Sequence, residues 1–180
     1  SSFIDAIRAV AGDYSKSARF DSFLVRFNQS NLGDDIATLG DARLVTSQEV
    51  EEGRRLAEGL VKAVTSGDTL RTRALHENFS DYTPQFKVWL AANRRPHIPN
   101  GDDALWDRIC LIPFEHVVPV QRRDPTIRIR LRDDPSVRTA VLQWAVEGCL
   151  EWQDIRIAEH GPALRSPRRI LDYTMEYKLE

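Results

Sequence analysis

Two short runs decide the fold: Arg43-Leu-Val-Thr-Ser-Gln-Glu49 and Lys87-Val-Trp-Leu-Ala-Ala-Asn93. Each is a stretch of apolar and β-branched residues, of strand length, that stops on a polar side chain. Such runs, separated by helical patterns, read as strands of a parallel sheet at 43–47 and 86–92. The carboxyl ends of neighbouring parallel strands open on one crevice, so a carboxylate at 49 and an amide at 93 can address one ligand there. That pairing suits a nucleotide phosphate with its magnesium ion and an attacking water. A third stretch, Trp106-Asp-Arg108 followed by Ile109-Cys-Leu-Ile112, reads as a cation at the start of another strand over 109–112.

Outward from these runs, Phe3, Ile4, Ile7, Val10 and Ala11 follow helical spacing and Gly12 stops them, so the chain opens inside a helical pattern. That opening is expected of a piece of something longer. Residues 14–18 read as a short strand, and Asp34-Asp35 as the cap of a brief helix ending near Gly40. Val50, Ala57, Leu60, Val61 and Val64 share one face, which predicts an amphipathic helix over 49–64. Residues 69–83 mix polar and apolar positions and read as a hairpin or extended excursion. Asp134-Pro135 is an N-cap followed by proline at the first helical position. The long helix it opens is expected to bury Val137, Val141, Trp144, Ala145 and Trp152, and a basic helix is expected over 165–180. Strands alternate with helices early and helices dominate late, giving an α/β architecture with a helical tail.

Composition narrows the partners. The chain has 180 residues, enough to bury roughly 70% of the unfolded surface. With 29% charged residues and a net charge of −2, it presents no broad basic field, so any contact with a polyanion must be local. Cys110 and Cys149 both lie in apolar runs and are expected to be buried free thiols in a reducing, cytoplasmic setting. No apolar stretch reaches the roughly 18–20 residues that span a bilayer, and no membrane partner is expected. The dispersed histidines, 76, 97, 116 and 160, offer no zinc-ligand spacing.

Nucleotide hydrolysis on an α/β sheet needs a phosphate cradle, a carboxylate for magnesium or water, a polar group near the γ-phosphate and a cation for the developing charge. Glu49, Asn93 and Arg108 supply the last three in order. Singly, a glutamate also caps a helix, an asparagine suits a turn and an arginine solvates a strand end. Lys62, Arg71, Arg73 and His76 could likewise be no more than a solvated face.

Four stretches together resemble one family: residues 42–53, Val61-Lys-Ala-Val-Thr-Ser-Gly-Asp-Thr-Leu-Arg-Thr-Arg73, Phe86-Lys-Val-Trp-Leu-Ala-Ala-Asn-Arg-Arg-Pro96 and Ala104-Leu-Trp-Asp-Arg-Ile-Cys-Leu-Ile-Pro-Phe114. The chain resembles the carboxyl-terminal helicase domain of phage and plasmid primase-helicases, within the superfamily 3 helicases of the AAA+ class. The resemblance implies a P-loop NTPase sheet flanked by helices, with a β-hairpin insertion and a helical carboxyl-terminal tail. It divides the chain into an ATPase core over 1–115 and a helical subdomain over 116–180. It implies that Glu49 is the Walker B acid, Asn93 the sensor and Arg108 an arginine finger reaching the neighbouring subunit's ATP. Lys62, Arg71, Arg73 and His76 would face a DNA strand, single or forked, in the channel of a homo-oligomeric ring, a hexamer by resemblance.

The implied cofactors are ATP and Mg2+. Relatives carry a glycine-rich Walker A loop ending in lysine before the first helix; Ser1-Ser2-Phe3 stands there in this chain. Ser1 and Ser2 are therefore the cofactor-binding candidates, with Ser1 and Glu49 as metal ligands, and this chain alone is expected to bind ATP poorly. Gln48 stands where relatives can carry an acid, which leaves Glu49, Glu51 and Glu52 open as the metal-holding residue. The implied setting is the cytoplasm of a bacterial host, with a phage, prophage or plasmid source. The rival reading is a non-catalytic DNA-binding or oligomerisation module derived from such an ATPase; a small phosphotransferase is the third.

Overall fold

The strands anticipated at 14–18, 43–47 and 86–92 are found. The computed structural model describes residues 1–25, 36, 38–48, 54–72, 80–99, 101–159 and 166–180. Among them are β1 (Ser15–Ser17), β2 (Leu44–Gln48), β3 (Leu70–Thr72), β4 (Ser80–Tyr82) and β5 (Lys87–Ala91). β1, β2 and β5 form a parallel sheet with β2 at its centre. Central placement explains the composition of β2: Val45, Thr46 and Ser47 are all buried, and only small or β-branched side chains occupy those positions. β3 and β4 form a separate antiparallel pair in which Arg71 stands opposite Asp81, a favourable cross-strand match. This antiparallel pair lies where a hairpin or extended excursion is anticipated over 69–83; residues 73–79 are outside the described residues.

The chain divides into two compact units, one of Ser1 with Ala11–Arg108, the other of Ser2–Val10 with Ile109–Glu180. The first holds the sheet, the β3–β4 pair and the helices α2 (Glu58–Thr65) and α3 (Asp103–Trp106). Phe23, Leu24, Ile36, Val45, Leu56, Val64, Phe86 and Leu105 form the bulk of its buried core. The second comprises most of α1 (Ser2–Ala11), the extended segment 109–119, α4 (Ile127–Asp133), α5 (Pro135–Glu159) and α6 (Arg168–Leu179). Within it, Asp5 on α1 pairs with Arg128 at 2.9 Å, and the rings of Phe3 and Phe114 lie 5.6 Å apart. Glu115 is gripped from α6 by Arg169 and by the Tyr173 hydroxyl. The Asp134 carboxylate accepts from the Ser136 amide at 2.9 Å, which is the anticipated cap of α5.

Four expectations are corrected. The helix over 49–64 starts only at Glu58: residues 54–57 are drawn into backbone pairing on both sides, and 49–53 lie outside the described residues. Val25 N donates to Arg55 O at 2.9 Å and Ala57 N to Phe23 O at 2.8 Å, while Leu56 N donates to His97 O at 3.0 Å. Those bonds bury Leu56 and claim the groups a helical turn would need. The strand over 109–112 is absent; Leu111 N donates instead to the Thr174 hydroxyl of α6 at 3.1 Å, so a side chain satisfies the backbone where a ladder was anticipated.

The apolar residues of α5 are not a buried stripe: Trp144 is 58% exposed and Ala145 is exposed, with Val137, Val141 and Trp152 half-buried. Leu142, Val146 and Leu150 are exposed as well, so apolar groups surround the helix and the short α4 packed on it cannot cover them. Cys110 and Cys149 are free but exposed, because each rides on one of these uncovered segments. Among the described residues, no helix is long and apolar enough to cross a membrane.

Candidate functional site

Parallel pairing brings the ends of the two decisive strands to one rim. Gln48, the last residue of β2, stands directly beside Ala91, the last residue of β5. Adjacent strands run about 4.8 Å apart, so the chain leaves both at the same level and within reach of one small ligand. Asn93 follows in a bend two residues beyond β5, exposed to solvent. Glu49 is the next residue after β2; it lies outside the described residues, as do Glu51 and Glu52. Gln48 itself is half-buried, and its Oε1 accepts a hydrogen bond from the amino group of Ser1. Ser1 therefore stands at this rim too, with Ser2 following as the first residue of α1.

Arg108 is exposed, and its setting differs from the one anticipated. It follows a single helical turn, with no strand after it. Its backbone N–H bonds Leu105 O at 3.0 Å, and its guanidinium folds back on the carbonyl of Ala104. Asp102 caps that turn by accepting from Leu105 N at 2.9 Å. Leu105 is fully buried and Trp106 nearly so, and the indole N–H donates to Gly101 O at 3.0 Å.

The second oxygen of Asp102 lies 2.6 Å from Lys62 Nζ on α2. The Lys62 hydrogen bond, then the Leu105 N–H, hold the Asp102 carboxyl below the usual range for an aspartate. Of the other basic candidates, Arg71 is exposed on β3 opposite Asp81, and Arg73 and His76 lie outside the described residues. Among the described residues, no group of three His, Cys, Asp or Glu side chains is placed to hold a metal ion.

The sequence does not mark Asp102 and Gly101 as partners in the setting of Arg108. A signal for the first was present, since aspartate three residues before the Leu105 amide is a helix-start pattern. Nothing in the sequence pointed to its partner 40 positions away.

No protein-family model matches the chain. It is 26% identical, over 85% of its length, to "Putative helicase L207/L206" of Acanthamoeba polyphaga mimivirus. It is 35% identical over 42% of its length to "Putative helicase 121R" of Invertebrate iridescent virus 3. To "Putative helicase 022R" of Frog virus 3 (isolate Goorha) it is 24% identical over 78%. The chain spans only 17%, 8% and 15% of these three proteins' own lengths. The similarities support a helicase-like relationship. All three relatives are viral proteins, and none of the three comes from a phage or plasmid.

Proposed function

We propose that this chain is part of the ATPase module of a DNA helicase of the primase-helicase type, in the superfamily 3 group of AAA+ proteins. One observation carries the reading: β2 and β5 are adjacent, parallel and level at their carboxyl ends, with Glu49 and Asn93 in the chain just beyond. The similarity to viral proteins named as helicases agrees with it.

Ser1 meets Gln48 at the end of β2. Hydroxyl and carboxylate oxygens, of the kind Ser1, Ser2 and Glu49 carry, are the ligands that magnesium takes. ATP bound with Mg2+ supplies a phosphoryl group for transfer to water. Glu49 holds the metal or orients the water, and the Asn93 amide fixes the group being attacked. Arg108 neutralises developing charge at the site of a neighbouring subunit, which makes the active form a homo-oligomeric ring. Arg71 on β3, with Arg73 and His76 further along the sequence, meets the phosphates of a DNA strand without reading its bases.

The experiment is magnesium-dependent ATP hydrolysis by the intact protein, with and without single-stranded DNA. Hydrolysis stimulated by DNA is expected, together with its loss in Asn93→Ala and Arg108→Ala while nucleotide binding by Arg108→Ala persists. An intact protein that neither hydrolyses nor binds ATP sinks the proposal and leaves a non-catalytic DNA-binding or assembly module.

A further inference from the structure

We infer that Lys62 is a positioning residue for Arg108: through Asp102 it holds α3 in the place from which the arginine leaves it. The inference rests on the proposed function for what Arg108 does.

A single helical turn such as α3 has no stability of its own, because nucleation costs more than so few hydrogen bonds return. Its place must be set from outside. Two of the restraints are packing: buried Leu105, and the Trp106 indole tied to Gly101 O. The third is the Asp102 carboxylate, whose two oxygens have separate tasks. Oδ1 closes the first turn on Leu105 N at 2.9 Å, and Oδ2 meets Lys62 Nζ at 2.6 Å. The turn then closes through Asp107 N to Asp103 O at 2.8 Å, and Arg108 follows at once.

Lys62 belongs to α2, the first helix after β2 among the described residues. The lysine–carboxylate contact thus ties α2 to the turn that Arg108 follows. Both side chains are partly solvated, 32% and 58% exposed. A contact of that kind is weak enough to be made and released, which suits a linkage better than a fixed strut. Lys62, engaged with Asp102, is assigned to positioning rather than to a DNA contact.

The test uses the intact protein with Lys62→Met, Asp102→Asn, the double variant and Lys62→Arg. Lys62→Met and Asp102→Asn should each lower kcat about two- to fivefold, the change in placement that loss of a partly solvated ion pair can bring, with KM for ATP unchanged. The double variant should fall no further than either single one, and Lys62→Arg should restore most of the loss. Single-strand binding and its salt slope should match the unaltered protein. A salt slope reduced by about one in Lys62→Met, or kcat losses that multiply in the double variant, overturns the inference. Amide exchange at 103–108 reads the brace independently of hydrolysis: faster exchange in Lys62→Met supports it, and unchanged protection overturns it. An unaltered protein without ATP turnover counts against the proposed function itself, and against this role with it.

Discussion

Replacing Gly101 by alanine tests whether the turn carrying Arg108 is held as tightly as its contacts indicate. A Cβ built at Gly101 falls 2.7 Å from Ile98 Cγ2, 2.7 Å from Trp106 Nε1 and 3.2 Å from Trp106 Cε2. Ordinary carbon contacts sit at roughly 3.5–4.0 Å, so the indole must retreat by about 1 Å. Trp106 is only 8% exposed, and its Nε1 is bonded to the carbonyl of Gly101 itself. Forced overpacking costs about 1–3 kcal/mol. Leaving the indole N–H buried without its acceptor adds about 1–3 kcal/mol, so a total of about 2–6 kcal/mol is expected.

Gly59 is the internal control. It lies in α2 with no atom of the described residues within 4 Å of its Cβ position, so Gly59→Ala should stabilise by about 0.5–1 kcal/mol through helix propensity alone. Urea unfolding followed by circular dichroism, with equal slopes required for comparison, reads both. The two substitutions should shift the midpoint in opposite directions. A Gly101→Ala protein within about 0.5 kcal/mol of the unaltered one, the ordinary range for an inconsequential surface change, refutes the reasoning about α3.

Further expectations follow from buried and capping groups. Thr46 is 1% exposed on the central strand and, among the described residues, its Oγ1 has no hydrogen-bond partner, so Thr46→Val should stabilise by about 1 kcal/mol. A measured loss of stability would show that the hydroxyl is engaged. The Ser136 hydroxyl, then its amide, hold the Asp134 carboxyl below the usual aspartate range. A folded-state value below the unfolded one gives a contribution that is complete above about pH 4 and is lost as pH falls through the lowered value. The first turn of α5 should therefore fray on acidification, seen as faster exchange of the Ser136 amide relative to its intrinsic rate. Asp134→Asn should keep the cap and abolish that pH dependence; an Asn variant with the same acid transition would remove Asp134 as its cause.

Much of the fold was legible because its signals are local. The β2 and β5 runs have strand length and strand composition, and Asp134-Pro135 marks a helix start by chemistry confined to a few residues. Where partners come from far along the chain, the same reasoning failed. Residues 54–57 fit a helical pattern as well as Leu60, Val61 and Val64 do, yet backbone groups of Phe23 and His97 take them out of the helix. Ile109–Ile112 has the branched composition of a strand, but Thr174 reaches it before any sheet does.

The candidate site divides in the same way. Which residues follow β2 and β5 could be read directly, because parallel strands end at one edge. The setting of Arg108 could not, because it depends on Lys62 and Asp102, 40 positions apart and meeting through one carboxylate oxygen.

A crystal structure of the intact protein with Mg2+ and a non-hydrolysable ATP analogue tests the central claim most directly. The terminal phosphate is expected at the carboxyl ends of β2 and β5, with Glu49 on its metal side and the Asn93 amide within hydrogen-bonding distance. A nucleotide seated elsewhere, with the side chains of 49 and 93 turned to separate solvent, contradicts it.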